Sequence, residues 1–235
     1  WRKTMKIGII VLCRYNSSRL PGKILLKISG KTILQHIIDR LLCVKGGYPI
    51  CVATSSEIDD KPIIDYCKGN NINFFDGSKK NVASRFLNCA KANNFDYATR
   101  INGDNLFTDP LIIEDMIDIA KTNKWKFITN VPKRTYPSGV SVEILKVSVM
   151  EKKIKKFNHY EKEHVMPFFY KNLKKGEIFE YIRKDLPKIN KVNLAVDTIE
   201  DFQCFQKVFK AMKKGELKYT TDEIVNLVSK IRTFS

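Results

Sequence analysis

Short apolar runs rich in β-branched residues alternate with amphipathic stretches through the first 130 residues of the chain. Strands are predicted over the apolar runs at 7–12, 48–54, 72–75, 97–102 and 127–131. Apolar residues recur at helical spacing over 32–42, about 60–68, 82–93 and 110–121. Because strands and helices alternate, the pattern predicts an α/β fold with a mostly parallel central sheet and helices on both faces.

Polar residues at the helix starts support these boundaries. Thr32 is predicted to cap the first helix, Asp59 or Asp60 the second, and Asp109 the fourth. Pro110 follows Asp109 at the first helical position, where its missing N–H is tolerated.

After residue 131 the alternation becomes less regular. The predicted elements are a loop at 132–139, a strand at 140–145, two basic helices at 147–156 and 160–174, strands near 178–183 and at 192–196, and helices near 199–213 and 221–232. Since no repeat, low-complexity tract or linker occurs, residues 5–235 are interpreted as one domain. Residues 1–4 precede Met5 and are too short and polar for a signal peptide, so they are interpreted as a leader or cloning remnant.

The composition restricts the classes of partner. Hydrophobic residues make up 43% of the 235 positions, and no apolar run is long enough for a membrane helix, so no membrane insertion is expected. The six cysteines form no C-x-x-C pair, which favours reduced thiols in a cytoplasmic protein. The net charge of +17 suits anionic partners or reflects a lysine-rich surface. No RNA-binding or helix-turn-helix motif accompanies it, so no specific nucleic acid is expected.

A polar, basic loop follows the first strand. Cys13–Lys23 contains two arginines, a lysine, two serines and a glycine, and it joins a buried strand to an amphipathic helix. Open α/β sheets bind ligands beyond the carboxyl ends of strands, and cations with small residues suit a polyphosphate. The alternative is a solvated surface loop.

Two aspartates follow predicted buried strands. Asp104 follows the predicted strand at 97–102 in the sequence Asn102-Gly103-Asp104. Asp197 follows the apolar run at 192–196. Each alone also suits a turn or a helix cap. Together they predict a Mg²⁺ site, because Mg²⁺ prefers one or two carboxylates with phosphate oxygens and water.

The loop resembles the R-x-x-S-[ST]-R-L-P-G-K segment of sugar-activating cytidylyltransferases. Four later blocks are similar to segments of the spore-coat polysaccharide biosynthesis protein F branch of that superfamily, and they lie at 99–110, 134–143, 161–167 and 196–202. The 3-deoxy-manno-octulosonate and acylneuraminate cytidylyltransferases are more distant. Five blocks in the same order are more specific than any one of them.

The resemblance implies a Rossmann-like nucleotide-diphospho-sugar transferase sandwich that transfers CMP from CTP and releases pyrophosphate. The implied acceptor is an acidic sugar, a sugar phosphate or another phosphorylated metabolite used in surface glycan biosynthesis. Residues 5–131 would then form the nucleotide-binding half, and residues 132–235 the half that binds the acceptor and an identical subunit in a homodimer.

Roles carried over by position define four groups. The catalytic residues are Arg14, Lys23, Asp104 and Asp197, and the two aspartates are the Mg²⁺ ligands. The nucleotide-binding residues are Leu12, Cys13, Arg14, Asn16, Ser17, Ser18, Arg19, Lys23, Ala53, Thr54, Ser55, Arg85, Asn102 and Gly103. The acceptor-binding residues are Tyr136, Ser138, Glu143 and His164. Two of these residues have plain alternatives: Arg85 as a solvated helix residue and His164 as a hydrogen-bonded core histidine.

The chain also departs from the family pattern. Asn16 and Cys13 stand where the loop usually has glycine and alanine, and Asn81, Ser84, Ser138 and Ser141 stand where the family has acids. Losing four carboxylates changes base or acceptor recognition, favours a more anionic acceptor, or leaves a catalytically inactive partner subunit. A glycosyltransferase on the same fold and a non-catalytic basic protein that binds nucleic acid or membrane surfaces remain alternatives.

Overall fold

The strands form one large sheet and a small hairpin. The computed structural model describes residues 4–184 and 191–233. The strands are β1 Ile7–Leu12, β2 Lys27–Ile28, β3 Lys31–Thr32, β4 Ile50–Ser55, β5 Phe74–Gly77, β6 Tyr97–Asn102, β7 Phe127–Thr129, β8 Glu143–Lys146 and β9 Ile178–Glu180. Seven of them make one sheet in the order β5-β4-β1-β6-β8-β7-β9, while β2 and β3 pair with each other.

The sheet is parallel where the sequence alternates regularly between strand and helix. β1 pairs in parallel with β4 and β6, and β4 with β5. β8 is antiparallel to both of its neighbours, β6 and β7. This confirms the prediction of a mostly parallel central sheet and locates the exception in the second half of the chain.

Helices cover both faces of the sheet. They are α1 Ile33–Leu42, α2 Lys61–Gly69, α3 Val82–Ala92, α4 Pro110–Lys121, α5 Val147–Lys153, α6 His159–His164, α7 Pro167–Asn172, α8 Ile199–Ala211 and α9 Thr221–Thr233. Apolar residues of α1, α2, α4, α8 and α9 share one core, and those of α3, α5 and α7, with Val165 and Met166 after α6, share the other. Burial of the two apolar faces of the sheet therefore sets the layered architecture.

Two predicted caps are present, and a third is wrong. Thr32 accepts the N–H of Gln35, and Asp109 accepts that of Leu111, as the sequence predicts. Asp60 precedes α2 but makes no side-chain cap bond to it. Its carboxylate instead accepts hydrogen bonds from Tyr15 and Ser55, because the first loop offers donors that local sequence does not reveal.

The second half contains two further corrections. Residues 192–196 form no strand; they are a largely buried irregular segment with one bridge, between Asn193 and Ser138. The predicted helix at 160–174 is two short helices, separated where Val165 takes a left-handed backbone conformation just before Pro167. Apolar content predicted burial correctly in both places, but it did not determine the backbone path.

All six cysteines are free, and four of them are buried. In the described ranges, no helix combines the length and apolar character needed to span a membrane. The predicted remnant at 1–4 lies, apart from Thr4, outside the described residues.

Candidate active site

A cleft of about 300 Å³ opens beyond the carboxyl ends of β1 and β6. These strands are neighbours from which the chain continues in opposite directions across the sheet, and such a reversal of strand order leaves a crevice for ligands. The lining residues come from the two strand ends, the loop after β1, α3, α6 and the segment before α8. They are Leu12, Cys13, Arg14, Ser17, Ser18, Arg19, Lys23, Ile24, Val82, Arg85, Arg100, Asn102, Gly103, Asp104, Glu163, His164 and Asp197.

Close packing brings the two strand ends together. The N–H of Gly103 donates to the carbonyl of Leu12 at 2.8 Å. A Cβ atom on Gly103 would lie 2.7 Å from the Cβ of Cys13, so only glycine fits at this crossing. The glycine in Asn102-Gly103-Asp104 thus lets β6 approach the loop after β1, which brings Asp104 beside the basic loop.

Lys23 joins the first loop to the segment before α8. Its Nζ donates to the carbonyl oxygen of Val196 at 2.6 Å and to Oδ1 of Asp197 at 3.0 Å. Asp197 also forms an ion pair with Arg19, at 3.2 Å. Lys23 and Arg19, both predicted to bind the triphosphate, therefore contact Asp197, a predicted metal ligand. Lys23 and Asp197 are 174 positions apart in the sequence.

Asp104 faces the same cleft. Burial raises the pKa of its carboxyl; Lys23 and Arg100 oppose that rise, and the negative charge of Asp197 adds to it. The two carboxylates are thus close enough to interact, with the Lys23 ammonium near both. Throughout 4–184 and 191–233, His, Cys, Asp and Glu form no group of three or more suited to a metal. Two protein carboxylates fit a Mg²⁺ ion whose other ligands come from phosphate and water.

Arg85 lines the cleft from α3 and is buried, with 4% exposure, so its interpretation as a solvated residue is wrong. Its Nη1 donates to the carbonyl of Ser78 at 2.9 Å, while its buried Nε has no acceptor in the described part of the chain. Burial lowers the pKa of the guanidinium, which remains charged because its ordinary pKa is so high. An unsatisfied buried donor beside a cleft is suited to a ligand oxygen.

His164 and Glu163 line the cleft from the end of α6. Both side chains are exposed, so the alternative of a core histidine is wrong. The ring of Tyr160 lies against that of His164, with centroids 4.3 Å apart. After His164 the chain makes a three-residue turn, in which the N–H of Met166 donates to the His164 carbonyl at 2.8 Å.

That turn is strained. Val165 has φ 70° and ψ −61°, a conformation that is rare for any residue and costly for a β-branched one. The Val165 side chain is fully buried, so core packing holds the turn in place. Strain of this kind is found at functional sites, and here it fixes the position at which His164 enters the cleft.

Several predicted site residues do not line the cleft. Ala53, Thr54 and Ser55 are buried, and Ser55 donates to Asp60. Tyr136 stacks on Tyr181 beside a separate depression. The remaining residues outside the lining are Asn16, Ser138 and Glu143. Their assignment to nucleotide or acceptor stays a prediction.

The cleft also contains residues to which sequence reasoning gave no role. Four such residues line it: Ile24, Val82, Arg100 and Glu163. Asp60 is outside the lining and accepts a hydrogen bond from Tyr15 in the loop after β1. Arg100 lies on the same face of β6 as Asn102, two residues away, so strand periodicity gave a signal for it. Asp60 gave no such signal, because its partners are distant in sequence.

Comparisons with known proteins agree with this geometry. A family model described as cytidylyltransferase matches residues 8–231. A cytidylyltransferase structure from Leptospira borgpetersenii serovar Hardjo-bovis superposes with a TM-score of 0.88 at 30% identity, covering 97% of this chain and 96% of that one. The resemblance and the fold expected from it are confirmed.

Two curated relatives carry the names that the sequence blocks suggest. The spore coat polysaccharide biosynthesis protein SpsF of Bacillus subtilis is 23% identical over 233 residues, 95% of this chain and 94% of the relative. The 8-amino-3,8-dideoxy-manno-octulosonate cytidylyltransferase of Shewanella frigidimarina is 33% identical over 129 residues, 52% of this chain and 51% of the relative. The second likeness covers only about half of each protein.

Proposed function

The chain belongs to the cytidylyltransferase family, and from this premise we propose that it transfers CMP from CTP to an acidic sugar or a related anionic acceptor, with release of pyrophosphate. The observation that carries the proposal is the contact of Lys23 with Asp197, beside Asp104. It joins a basic loop suited to phosphates with two carboxylates suited to a metal. This pairing distinguishes a nucleotidyltransferase site from a simple anion site.

The loop after β1 would bind the triphosphate. Arg14, Arg19 and Lys23 all reach the cleft, and Ser17 and Ser18 line it between them. Their positive charges match a polyphosphate, and charge-assisted hydrogen bonds to its oxygens are stronger than neutral ones. On the α3 side, the unsatisfied Nε of Arg85 supports a role in binding an oxygen of the cytosine or ribose.

Asp104 and Asp197 would hold Mg²⁺. The ion would supply neutralisation of the charge on the phosphates when it is bound. Lys23 would move its hydrogen bond from Asp197 toward a phosphate oxygen, since both acceptors are anions within reach of the same flexible ammonium.

In the proposed reaction, an acceptor oxygen attacks the α-phosphorus of CTP and forms a new P–O bond. The bond from that phosphorus to the α,β-bridging oxygen breaks, and both of its electrons leave with pyrophosphate. The protein contributes positioning and preorganised positive charge from the loop. His164, which is exposed and lines the cleft from α6, would orient the acceptor hydroxyl or accept its proton.

The proposal also includes a cellular setting. The likeness to SpsF supports a role in surface polysaccharide biosynthesis, and six free cysteines support a reducing compartment such as the cytoplasm. We further propose a homodimer, as the sequence resemblance implies.

A nucleotide panel tests this function. The protein would be assayed for pyrophosphate release with Mg²⁺ and CTP, ATP, GTP or UTP, each with sugar acids, sugar phosphates and neutral sugars. Selective use of CTP with an anionic sugar is expected. Chelation of Mg²⁺ and Asp104→Asn should each abolish release, because the first removes the metal ion and the second removes one of its proposed ligands.

Asp118→Asn is the matched control, since Asp118 is an exposed carboxylate on α4 whose side chain is 70% exposed and pairs with Lys121. It should leave release unchanged. Equal binding of all four nucleotides, with no pyrophosphate from any acceptor, would show that the loop is a general anion site and would refute the proposal. Thermal shifts with the four nucleotides measure that binding independently of turnover.

A further inference from the structure

Arg100 and Glu143 form an ion pair across the sheet beside the cleft. They lie directly opposite each other on β6 and β8, and Nη1 of Arg100 donates to Oε2 of Glu143 at 2.5 Å. The two side chains are 17% and 7% exposed. Both side chains are thus largely shielded from solvent, and Arg100 is still one of the residues that line the cleft.

Glu143 is held by a second contact. The hydroxyl of Tyr170 donates to Oε1 of Glu143 at 2.7 Å, and the hydroxyl of Thr129 lies 2.7 Å from that of Tyr170. Burial and the nearby Glu143 charge raise the pKa of Tyr170, so its hydroxyl stays protonated and donates. Each oxygen of Glu143 therefore has its own donor, and the carboxylate is fixed in one orientation.

Arg100, in contrast, has unused donors. Its contact with Glu143 uses Nη1, and its buried Nε has no acceptor in the described ranges. A buried ion pair is weak evidence for stability, and a buried donor without an acceptor is destabilising. Nε is shielded from solvent in this arrangement, so the edge formed by Nε and Nη2 would meet a ligand once the guanidinium turns toward the cleft.

The position of Arg100 separates it from the triphosphate loop. The loop follows β1, whereas Arg100 lies on β6 and is fixed from β8, the next strand on the other side. The cleft lining also includes His164, which the proposed function assigns to the acceptor. Arg100 lines the cleft from β6 and not from the triphosphate loop, so it is available to the acceptor.

We infer that Arg100, held by Glu143 and Tyr170, binds the carboxylate of an acidic acceptor and so determines acceptor specificity. The inference rests on the proposed cytidylyl transfer. The free edge of a guanidinium matches a planar carboxylate through two parallel N–H···O bonds. Glu143 already balances the charge of Arg100, and Glu163 and Asp104 lie in the same cleft, so a monoanion is favoured over a phosphate monoester of charge about −1.5 to −2.

Binding measurements test the inference without depending on turnover. The protein would first be saturated with Mg²⁺ and the α,β-methylene analogue of CTP, which cannot release pyrophosphate. Calorimetry would then measure the Kd of 3-deoxy-manno-octulosonate, N-acetylneuraminate and glucuronate as carboxylate probes, and of glucose 1-phosphate as the phosphate probe. At least one sugar acid is expected to bind more tightly than the sugar phosphate.

Four variants identify the cause. Arg100→Gln should raise the Kd of the sugar acid about 10- to 100-fold and leave the Kd of the nucleotide analogue unchanged. Arg100→Lys, which keeps the charge and loses the fork, should give an intermediate loss. Tyr170→Phe keeps the ring packing against Phe127 but releases Glu143, so it should raise the sugar-acid Kd by a smaller factor. Lys152→Gln, an exposed charge removal on α5, is the control and should change neither Kd.

Three results would overturn the inference: sugar-acid binding unaffected by Arg100→Gln, tighter binding of glucose 1-phosphate that depends on Arg100, or no binding of any sugar acid to the nucleotide-bound protein. Failure of the wild-type protein to bind the CTP analogue is a different result, because it would refute the proposed function itself. The two failures are therefore distinguishable.

Discussion

Asp60 accepts the backbone N–H of Tyr15, with 2.6 Å between Oδ1 and the nitrogen. Its second oxygen accepts the N–H of Ser55 at 3.1 Å and the Ser55 hydroxyl. One buried carboxylate thus ties the loop after β1 to the carboxyl end of β4. Tyr15 in turn accepts the N–H of Gly22 through its carbonyl at 2.8 Å, so the restraint extends through the basic loop.

Asp60→Asn should therefore loosen the proposed triphosphate loop. The amide has only one acceptor oxygen, so one of the N–H groups of Tyr15 and Ser55 would face an NH₂ donor. Leaving a buried N–H unpaired costs about 1–3 kcal/mol of unfolding free energy. Urea denaturation should show that loss, and the KM for CTP should rise because the loop is less ordered.

The neighbouring Asp59→Asn is a matched control, since the Asp59 side chain is 41% exposed and pairs only with Lys79 at the surface in the described part of the chain. It should change neither quantity by much, as exposed ion pairs contribute about 0–1 kcal/mol. Equal effects of the two substitutions would contradict the role assigned to Asp60.

Local sequence predicted the fold well where local forces decide it. The predicted bounds of β1, β6, α1 and α4 agree with the structure, because apolar period and caps such as Thr32 act within a few residues. The segment at 192–196 was predicted as a strand from its apolar residues, and most of these are buried. Whether a buried segment finds strand partners depends on the neighbouring chain, which a local pattern does not contain.

The same limit applies to the candidate site. The basic loop and Asp104 were predicted because cations suit phosphates, a carboxylate suits Mg²⁺, and each follows a predicted strand. Asp60 was predicted as a helix cap, the role that its local sequence favours, although donors 5 and 45 residues away decide its function. The alternation of side chains along β6 places Arg100 on the same face as Asn102. Its proposed role depends on the ion pair with Glu143 in β8, a partner that only the folded sheet reveals.

Thiol reactivity should distinguish Cys13 from Cys43. Burial raises the pKa of Cys13, so at pH 8 its thiol is protonated and shielded, although it lines the cleft floor. Cys43 is exposed. At pH 8, iodoacetamide labelling followed by peptide mass spectrometry should modify Cys43 first and Cys13 only after unfolding. A raised pKa means less thiolate, so Cys13 labelling of the folded protein should increase only at strongly alkaline pH. Labelling of Cys13 as fast as Cys43 would contradict this.

His164→Gln should impair the use of the acceptor. If His164 accepts the proton of the acceptor hydroxyl, kcat should fall about 100-fold or more while the KM for CTP is unchanged. A decrease of only a few fold, accompanied by a higher acceptor KM, would indicate orientation of the acceptor alone. His159→Gln, an exposed histidine at the start of the same helix, provides the control and should leave both parameters unchanged.

Gly139→Ala should displace the segment that carries Asp197. Gly139 has φ 91°, and a Cβ there would lie 2.3 Å from the backbone of Leu194 and Ala195. Backbone atoms cannot yield as a flexible side chain does, so the segment must move, and a cost of about 1–3 kcal/mol in unfolding free energy is expected. Pyrophosphate release should fall by more than stability alone explains, because Lys23 would lose its contacts with Val196 and Asp197.

Gly176→Ala is the control, since a Cβ at Gly176 meets no atom within 4 Å and its backbone needs no left-handed conformation. If Gly139→Ala and Gly176→Ala retained equal activity, the position of Asp197 would not depend on this close approach.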